Sequence, residues 1–408
     1  MAATRLGLGI AAASGRAAYE PIVSIWDLVI VGGGPVGLVT ALAARRLGLS
    51  ALVLEQAHGL PQKACGEGLM PGAVSALEQL GVSLSGAREF RGVRFLDGHT
   101  VASASFLERP GRALSRGLLM QRLSERASEL NVPVRGGQTV RHFRYQDGVV
   151  QVDANASPGS NVSYQARLLV AADGLRSPIR RKLGYELPPR RMPRFGVRCH
   201  FRVAPWSDWV EVHWHEQAEA YVTPLASDLV GVAVLSHGRA LAPERWAALF
   251  PALAERLAGA VACERARGAG PFEQRVRGVL APGVALVGDA AGYLDALTGE
   301  GLAIGFACAQ ALVERVAAGK LERYPADHRR LTATYYRLTG LLLALAGRPG
   351  LRRWAIRYLS RHPQSFSALL SRSVRASRQL PAPGGDPWAP GAASLTHARG
   401  RPRLHERA

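Results

Sequence analysis

The chain has 408 residues, 48% hydrophobic and 20% charged, a composition that fits one or two folded cores and excludes a disordered or fibrous protein. Its formal charge is +20, but lysine occurs only at Lys63, Lys182 and Lys320, and residues 320–408 carry most of the excess as 16 arginines and Lys320 against four acids. No interleaved aromatic and basic motif supports nucleic-acid binding, and the scattered Cys65, Cys199, Cys263 and Cys308 argue against a metal site, a disulfide framework and a dithiol redox pair.

Residues 1–24 hold Arg5 and a weak apolar run, LGLGIAAA, too slight for a signal peptide. They read as a flexible extension, with Val23 as an alternative start. No apolar stretch reaches the ~20 residues of a spanning helix. With its unpaired cysteines, the protein is expected to be cytoplasmic.

Asp27 to Val31 is a branched apolar run, the pattern of a strand buried on both faces. It leads into Gly32, Gly34 and Gly37, with Pro35 and Val36 between the last two, and then into the helix LVTALAARRLG. Glycines at this spacing make a tight turn, let backbone approach a pyrophosphate and let the helix pack on the strand, while the helix N-terminus attracts the phosphates. A second strand, ALVLE, ends in Glu55, 18 residues beyond Gly37, where a carboxylate would hold a ribose hydroxyl pair. Together these features predict a dinucleotide site.

A loop rich in Gly and Pro follows, leading to a helix from about Pro71 to Leu80. Residues 90–107 read as a hairpin turning at Asp97-Gly98, Ser115 to Leu130 as a helix, and 139–154 and 162–171 as strands. The last ends in AADGLRS, an acid-glycine turn at Asp173 and Gly174. From 195 to 237 the pattern alternates as an antiparallel sheet with one covered face. Helices at about 243–258 and a strand pair near 272–287 precede VGDAAGYLDALTGEGL and the helix GLAIGFACAQALVERVAAG.

In their order, VGGGPVG at 31–37, AADGLRS at 171–177 and VGDAAGYLDALTGEGL at 287–302 resemble the flavoprotein superfamily of para-hydroxybenzoate hydroxylase-like monooxygenases and geranylgeranyl reductases. The resemblance implies an α/β fold, an FAD-binding Rossmann-like (GR2-type) parallel sheet with an inserted antiparallel substrate domain and a helical C-terminal region. The expected units are a flexible extension at 1–24, the FAD-binding domain at 25–194 and 271–325, the substrate sheet at 195–270, helices at 326–379 and a disordered basic tail at 380–408.

By the same resemblance Glu55 binds the adenosine ribose of FAD, Asp173 lies near the pyrophosphate, Asp289 of the Gly288-Asp289 pair bonds the ribityl chain, and Arg116 touches the phosphates or ribityl region. Gly299, Glu300, Gly301 and Leu302 open a helix whose N-terminus faces the flavin pyrimidine ring, where backbone donors stabilise the charge of reduced flavin. Lys63 and Cys65, in KACGEGL, match a reductase-type segment: Lys63 would neutralise a pyrophosphate, and Cys65 would line the pocket or remain an inert thiol. His213 and His215 share a strand face and Tyr221 lies on the next strand, so His213 or Tyr221 would take a phenolic proton.

The resemblance implies an enzyme, an NAD(P)H-dependent monooxygenase that uses NAD(P)H as a transient reductant and acts through a flavin C4a-hydroperoxide on a hydrophobic aromatic, polyketide-type or isoprenoid metabolite. However, the Pro, Gln and Asn of the hydroxylase turn are replaced by Ala296, Glu300 and Ala303. A geranylgeranyl-reductase-like activity on isoprenoid double bonds is the alternative, and a flavin electron-transfer protein a further one. The basic C-terminal helices would cap the substrate cavity or rest on an anionic membrane.

Overall fold

The computed structural model describes residues 25–60, 63–157 and 160–376; the expected extension at 1–24 and tail at 380–408 lie outside the described residues. Trp26–Val31 runs through the middle of an eight-stranded sheet, parallel to Ser160–Ala171 on one side and to Ala51–Leu54 on the other. Val134–Arg135 extends one flank and Val284–Leu286 the other, both in parallel pairing. Leu28, Val29 and Ile30 are fully buried because the helices Pro35–Arg46 and Gly301–Ala317 pack together over the sheet while Val150, Val152 and Ala154 join the same core. Each such side chain contributes about 1.5–3 kcal/mol of burial.

The second sheet also has eight strands, with Arg194–Arg202, Leu229–His237, Ala218–Ala226 and Val210–Trp214 as consecutive antiparallel neighbours. It draws as well on the hairpin Gly92–Asp97 and Thr100–Ser105, whose first strand pairs parallel with Val210–Trp214, Val210 opposite Val93. This sheet is therefore not confined to 195–270. Side-chain fit fixes the union: Phe95 meets the edge of Trp214 at 5.5 Å and Phe366 at 4.8 Å.

The helices expected at 243–258 are a 3-10 turn at Pro243–Arg245 and the helices Trp246–Leu249 and Pro251–Arg256. Pro251 lacks the N–H that a continuous helix requires and starts a new one. The C-terminal region forms the helices Tyr324–Ala346, Pro349–Arg361 and Pro363–Ala376, each with a proline in its first turn or at its start. Arg352 fixes them to the hairpin: almost fully buried, it donates from Nε to Asp97 Oδ2 at 2.9 Å and lies over the Trp214 ring.

Candidate active site

At the carboxyl end of the first strand, Gly32 has φ +108°, and a Cβ there would meet the Ala172 carbonyl oxygen at 2.4 Å. A Cβ on Gly37 would lie 1.9 Å from the Gly32 carbonyl oxygen, so helix and strand approach this closely only with glycine. Gly34 is different: its nearest protein atom would be Arg116 Nη2 at 3.8 Å, because the space before it is the cavity. Gly34 caps the helix Pro35–Arg46, and no side chain accepts from its first turn, which leaves N–H donors for an anion. Glu55, at the end of the second strand, accepts the Gly33 N–H on Oε2 at 2.7 Å and the Ala57 N–H on Oε1 at 2.9 Å. It thereby holds the glycine turn closed while lining the cavity, and its carboxylate has lone pairs left for hydroxyls.

The two acid turns are tied together by Arg180, which is fully buried. Its guanidinium donates to the carbonyls of Leu175 at 2.9 Å and of Asp289 and Ala290 at 3.3 Å, and to Gln274 Oε1 at 2.5 Å. Asp289 and Asp173 both line the cavity, and burial pushes both carboxyls up; the charges of Lys63, Arg116 and Arg180 oppose this at Asp289. Arg116 opens the helix Arg116–Glu129, and its Nε is buried with no hydrogen-bond partner among the described residues. Lys63 Nζ reaches the Gly174 turn, 3.3 Å from where a Cβ would stand. Two cations, Lys63 and Arg116, a bare helix N-terminus and the carboxyls of Asp173 and Asp289 therefore face one space.

That space is a cavity of about 840 Å³ that continues under the second sheet. Gly299, Gly301 and Leu302 line its middle, at the start of the uncapped helix Gly301–Ala317. Farther in, the wall is apolar: Val197, Val210, Val212 and Leu235 from the sheet, and Leu342 and Leu345 from the helix Tyr324–Ala346. Leu341 and Leu369 line the cavity and are also 55% and 38% exposed, which marks its mouth on the C-terminal helices.

The structure brings most of the expected residues to this cavity, but not all. Pro35, Val36 and Gly288 lie behind the wall, where Val36 methyls fill the space beside Gly288 and Gly305. Glu300 is buried without lining the cavity. Cys65 lines it as a neutral thiol, pushed up by burial, whose Sγ accepts the Glu67 N–H at 3.4 Å. Tyr221 lines it too, but its hydroxyl donates to the Leu297 carbonyl at 2.8 Å and burial pushes it well above the usual phenol value, so it anchors the loop and is no base. The catalytic expectation for His213 fails. Alternation along the strand sends Val210 and Val212 inward and His213 to the other face, 3.4 Å from Glu211 Oε2. Sequence reasoning missed Glu67, Arg180 and the buried Arg194, which pairs with Glu219 at 2.8 Å and Asp295 at 2.9 Å.

Residues 26–323 match the FAD binding domain family. The chain belongs to that family. The flavoprotein is 28% identical over 323 residues to a menaquinone reductase of Mycobacterium tuberculosis, covering 73% of this chain and 78% of the relative. It is 30% identical over 302 residues to a digeranylgeranylglycerophospholipid reductase of Methanopyrus kandleri, covering 69% and 78%. Its fold matches that of an anhydrotetracycline hydroxylase of Streptomyces rimosus with a TM-score of 0.72 at 22% identity, covering 88% of this chain and 77% of that one. It is an FAD-dependent oxidoreductase of the superfamily that holds these hydroxylases and reductases. The unpartnered Arg116 Nε, the open Gly34 and the buried Asp289 fit that cofactor. Among the described residues no helix is long and apolar enough to cross a membrane.

Proposed function

We propose that this flavoenzyme reduces a double bond in the isoprenoid chain of a lipid-like substrate. The observation that carries the reading is one continuous cavity, polar and cationic at the glycine turn and apolar from the Gly299–Leu302 turn to the mouth at Leu341 and Leu369. FAD would lie with its pyrophosphate at Gly32, Gly34 and Gly37, near Lys63 and Arg116, its adenosine ribose at Glu55, its ribityl chain at Asp289 and its pyrimidine edge at the N-terminus of the helix Gly301–Ala317. Bound there, it supplies two-electron chemistry, with NADH or NADPH as the transient reductant. The protein's part is to exclude water with Val197, Val212 and Leu345 and to orient the substrate chain along that wall. The names of the two relatives matched over most of their length, a menaquinone reductase and a digeranylgeranylglycerophospholipid reductase, support an isoprenoid substrate.

The mouth supports delivery from a membrane. On the helix Pro349–Arg361, whose Leu359 lines the cavity, Leu351, Trp354 and Tyr358 are exposed beside Arg357 and the Glu216-paired Arg353, an apolar and basic face suited to an anionic bilayer. Hydroxylation of an aromatic ring is the second reading, favoured by Phe90, Phe95, Phe272 and Tyr293 on the cavity wall. It lacks the phenol-deprotonating group sought in His213 and Tyr221. Mass spectrometry separates the readings after incubation with NADH or NADPH and a polyprenyl quinone or geranylgeranyl lipid, under nitrogen and under labelled dioxygen. A gain of two hydrogens in the isoprenoid chain, retained after any quinol is reoxidised to the quinone, is expected without dioxygen. A gain of one labelled oxygen atom would favour hydroxylation, and electron flow to a quinone or dye with no altered side chain would mark an electron carrier.

A further inference from the structure

A line of titratable groups joins the cavity to solvent through the second sheet, outside the cofactor contacts and the apolar wall. Glu67 is 3% exposed and lines the cavity. Its backbone has φ 61°, a left-handed conformation that a non-glycine residue adopts only where its surroundings hold it. Glu67 Oε1 accepts the backbone N–H of Arg116 at 2.8 Å, and Oε2 lies 2.5 Å from His200 Nε2. The other ring nitrogen, His200 Nδ1, lies 2.8 Å from Glu264 Oε1, and the Glu264 side chain is 28% exposed. Two cations and a thiol complete the surroundings: Arg198 contacts Glu264, lies 3.7 Å from Glu67 and brings Nη1 to 3.1 Å from His200 Nε2 and 3.3 Å from His200 Nδ1, Arg267 lies 3.7 Å from Glu264, and Cys65 Sγ accepts the Glu67 N–H.

A neutral imidazole donates from one nitrogen only, so a ring with a carboxylate on each nitrogen leaves one contact unmatched unless the trio holds an extra proton. The same bonds give that proton a route. A proton taken up at Glu264 passes to Nδ1 while the Nε2 proton passes to Glu67, and the net result is one proton moved from solvent to the cavity with no change of oxidation state. We propose that Glu264, His200 and Glu67 form a proton relay feeding the cavity. Both functional readings consume such a proton: saturating a double bond takes a hydride from NAD(P)H and one proton, and hydroxylation takes one proton as dioxygen yields the hydroxyl group and water. The relay rests on FAD occupying the cavity.

The FAD-loaded full chain, mixed anaerobically with reduced methyl viologen, tests it. Two viologen radicals bring two electrons and no proton, so the proton that enters the reduced cofactor comes from solvent. Loss of the yellow absorbance reports the cofactor, and a pH-indicator dye reports proton uptake separately, so a failure of cofactor binding is distinguished from a failure of the relay. Glu264→Gln and His200→Ala are expected to slow proton uptake about tenfold or more relative to wild type, with imidazole in the buffer restoring it in His200→Ala. Proton uptake at the wild-type rate in both variants would overturn the relay, as would a slowing in His200→Ala that imidazole leaves unchanged. Glu264 is the more exposed, so Glu264→Gln decides the question alone where His200→Ala does not fold.

Discussion

Among the described residues Arg180 meets no carboxylate nearer than Glu186 at 3.5 Å, and its donors go mainly to backbone carbonyls of the two acid turns. Arg180→Met would leave those buried carbonyls unpaired. A loss of about 3 kcal/mol or more is expected, with weaker FAD retention, in thermal melting with and without added cofactor. Asp289 makes the complementary case. Its carboxyl is buried beside Lys63, Arg116 and Arg180, and Asp289→Ala is expected to empty the protein of FAD; full yellow occupancy would contradict the assignment. The glycine turn, Glu55 and Asp289 were legible in the sequence because their chemistry is local and depends on spacing. Glu67 and Arg180 were not, since their partners lie 133 and 109 residues away. For His213 the decisive signal is strand parity: Val210, Val212 and Trp214 share one face, which leaves His213 on the other.

Between elements, Arg194 joins the strand Arg194–Arg202 to Glu219, across the intervening strand Leu229–His237, and to Asp295 in the loop leading to Gly299–Leu302. All three side chains are at most 5% exposed. Arg194→Leu would strand two buried carboxyls and is expected to cost about 3–5 kcal/mol, read from denaturant unfolding. The parallel sheet was readable strand by strand from its apolar runs. The hairpin Gly92–Asp97 and Thr100–Ser105 was legible as a hairpin but not as part of the second sheet, because pairing with Val210–Trp214 depends on contacts among Phe95, Trp214 and Phe366 across the whole chain. At the outer face, Trp354→Glu with Tyr358→Glu is expected to weaken binding to anionic vesicles about tenfold in co-sedimentation while leaving FAD content unchanged. Equal binding would remove the membrane face from the account.

For the whole molecule, acid sensitivity has an identifiable source in the helix Tyr324–Ala346. Burial pushes His328 down from 6.5 to about 4. The unfolded chain takes up that proton near 6.5 and the folded chain does not until about 4, so the stability associated with His328 is full above 6.5 and falls as pH drops toward 4. The loss reaches about 3 kcal/mol at most. Asp173, Asp289, Glu219 and Asp295, whose carboxyls burial raises, work in the opposite direction, favouring the fold as pH falls. The difference between wild type and His328→Leu in melting temperature from pH 7 to pH 4 isolates the histidine, and parallel curves would contradict this assignment.

The central claim is that one cavity holds the cofactor at one end and a long apolar chain at the other. The most direct measurement is a titration of the FAD-loaded protein with a polyprenyl quinone, following the flavin absorbance bands in wild type and in Leu345→Trp, which narrows the apolar arm. A saturable shift of the flavin bands is expected in wild type, with its loss or marked weakening in Leu345→Trp. Lipid binding that leaves the flavin spectrum untouched, or that is equal in the two proteins, would contradict it.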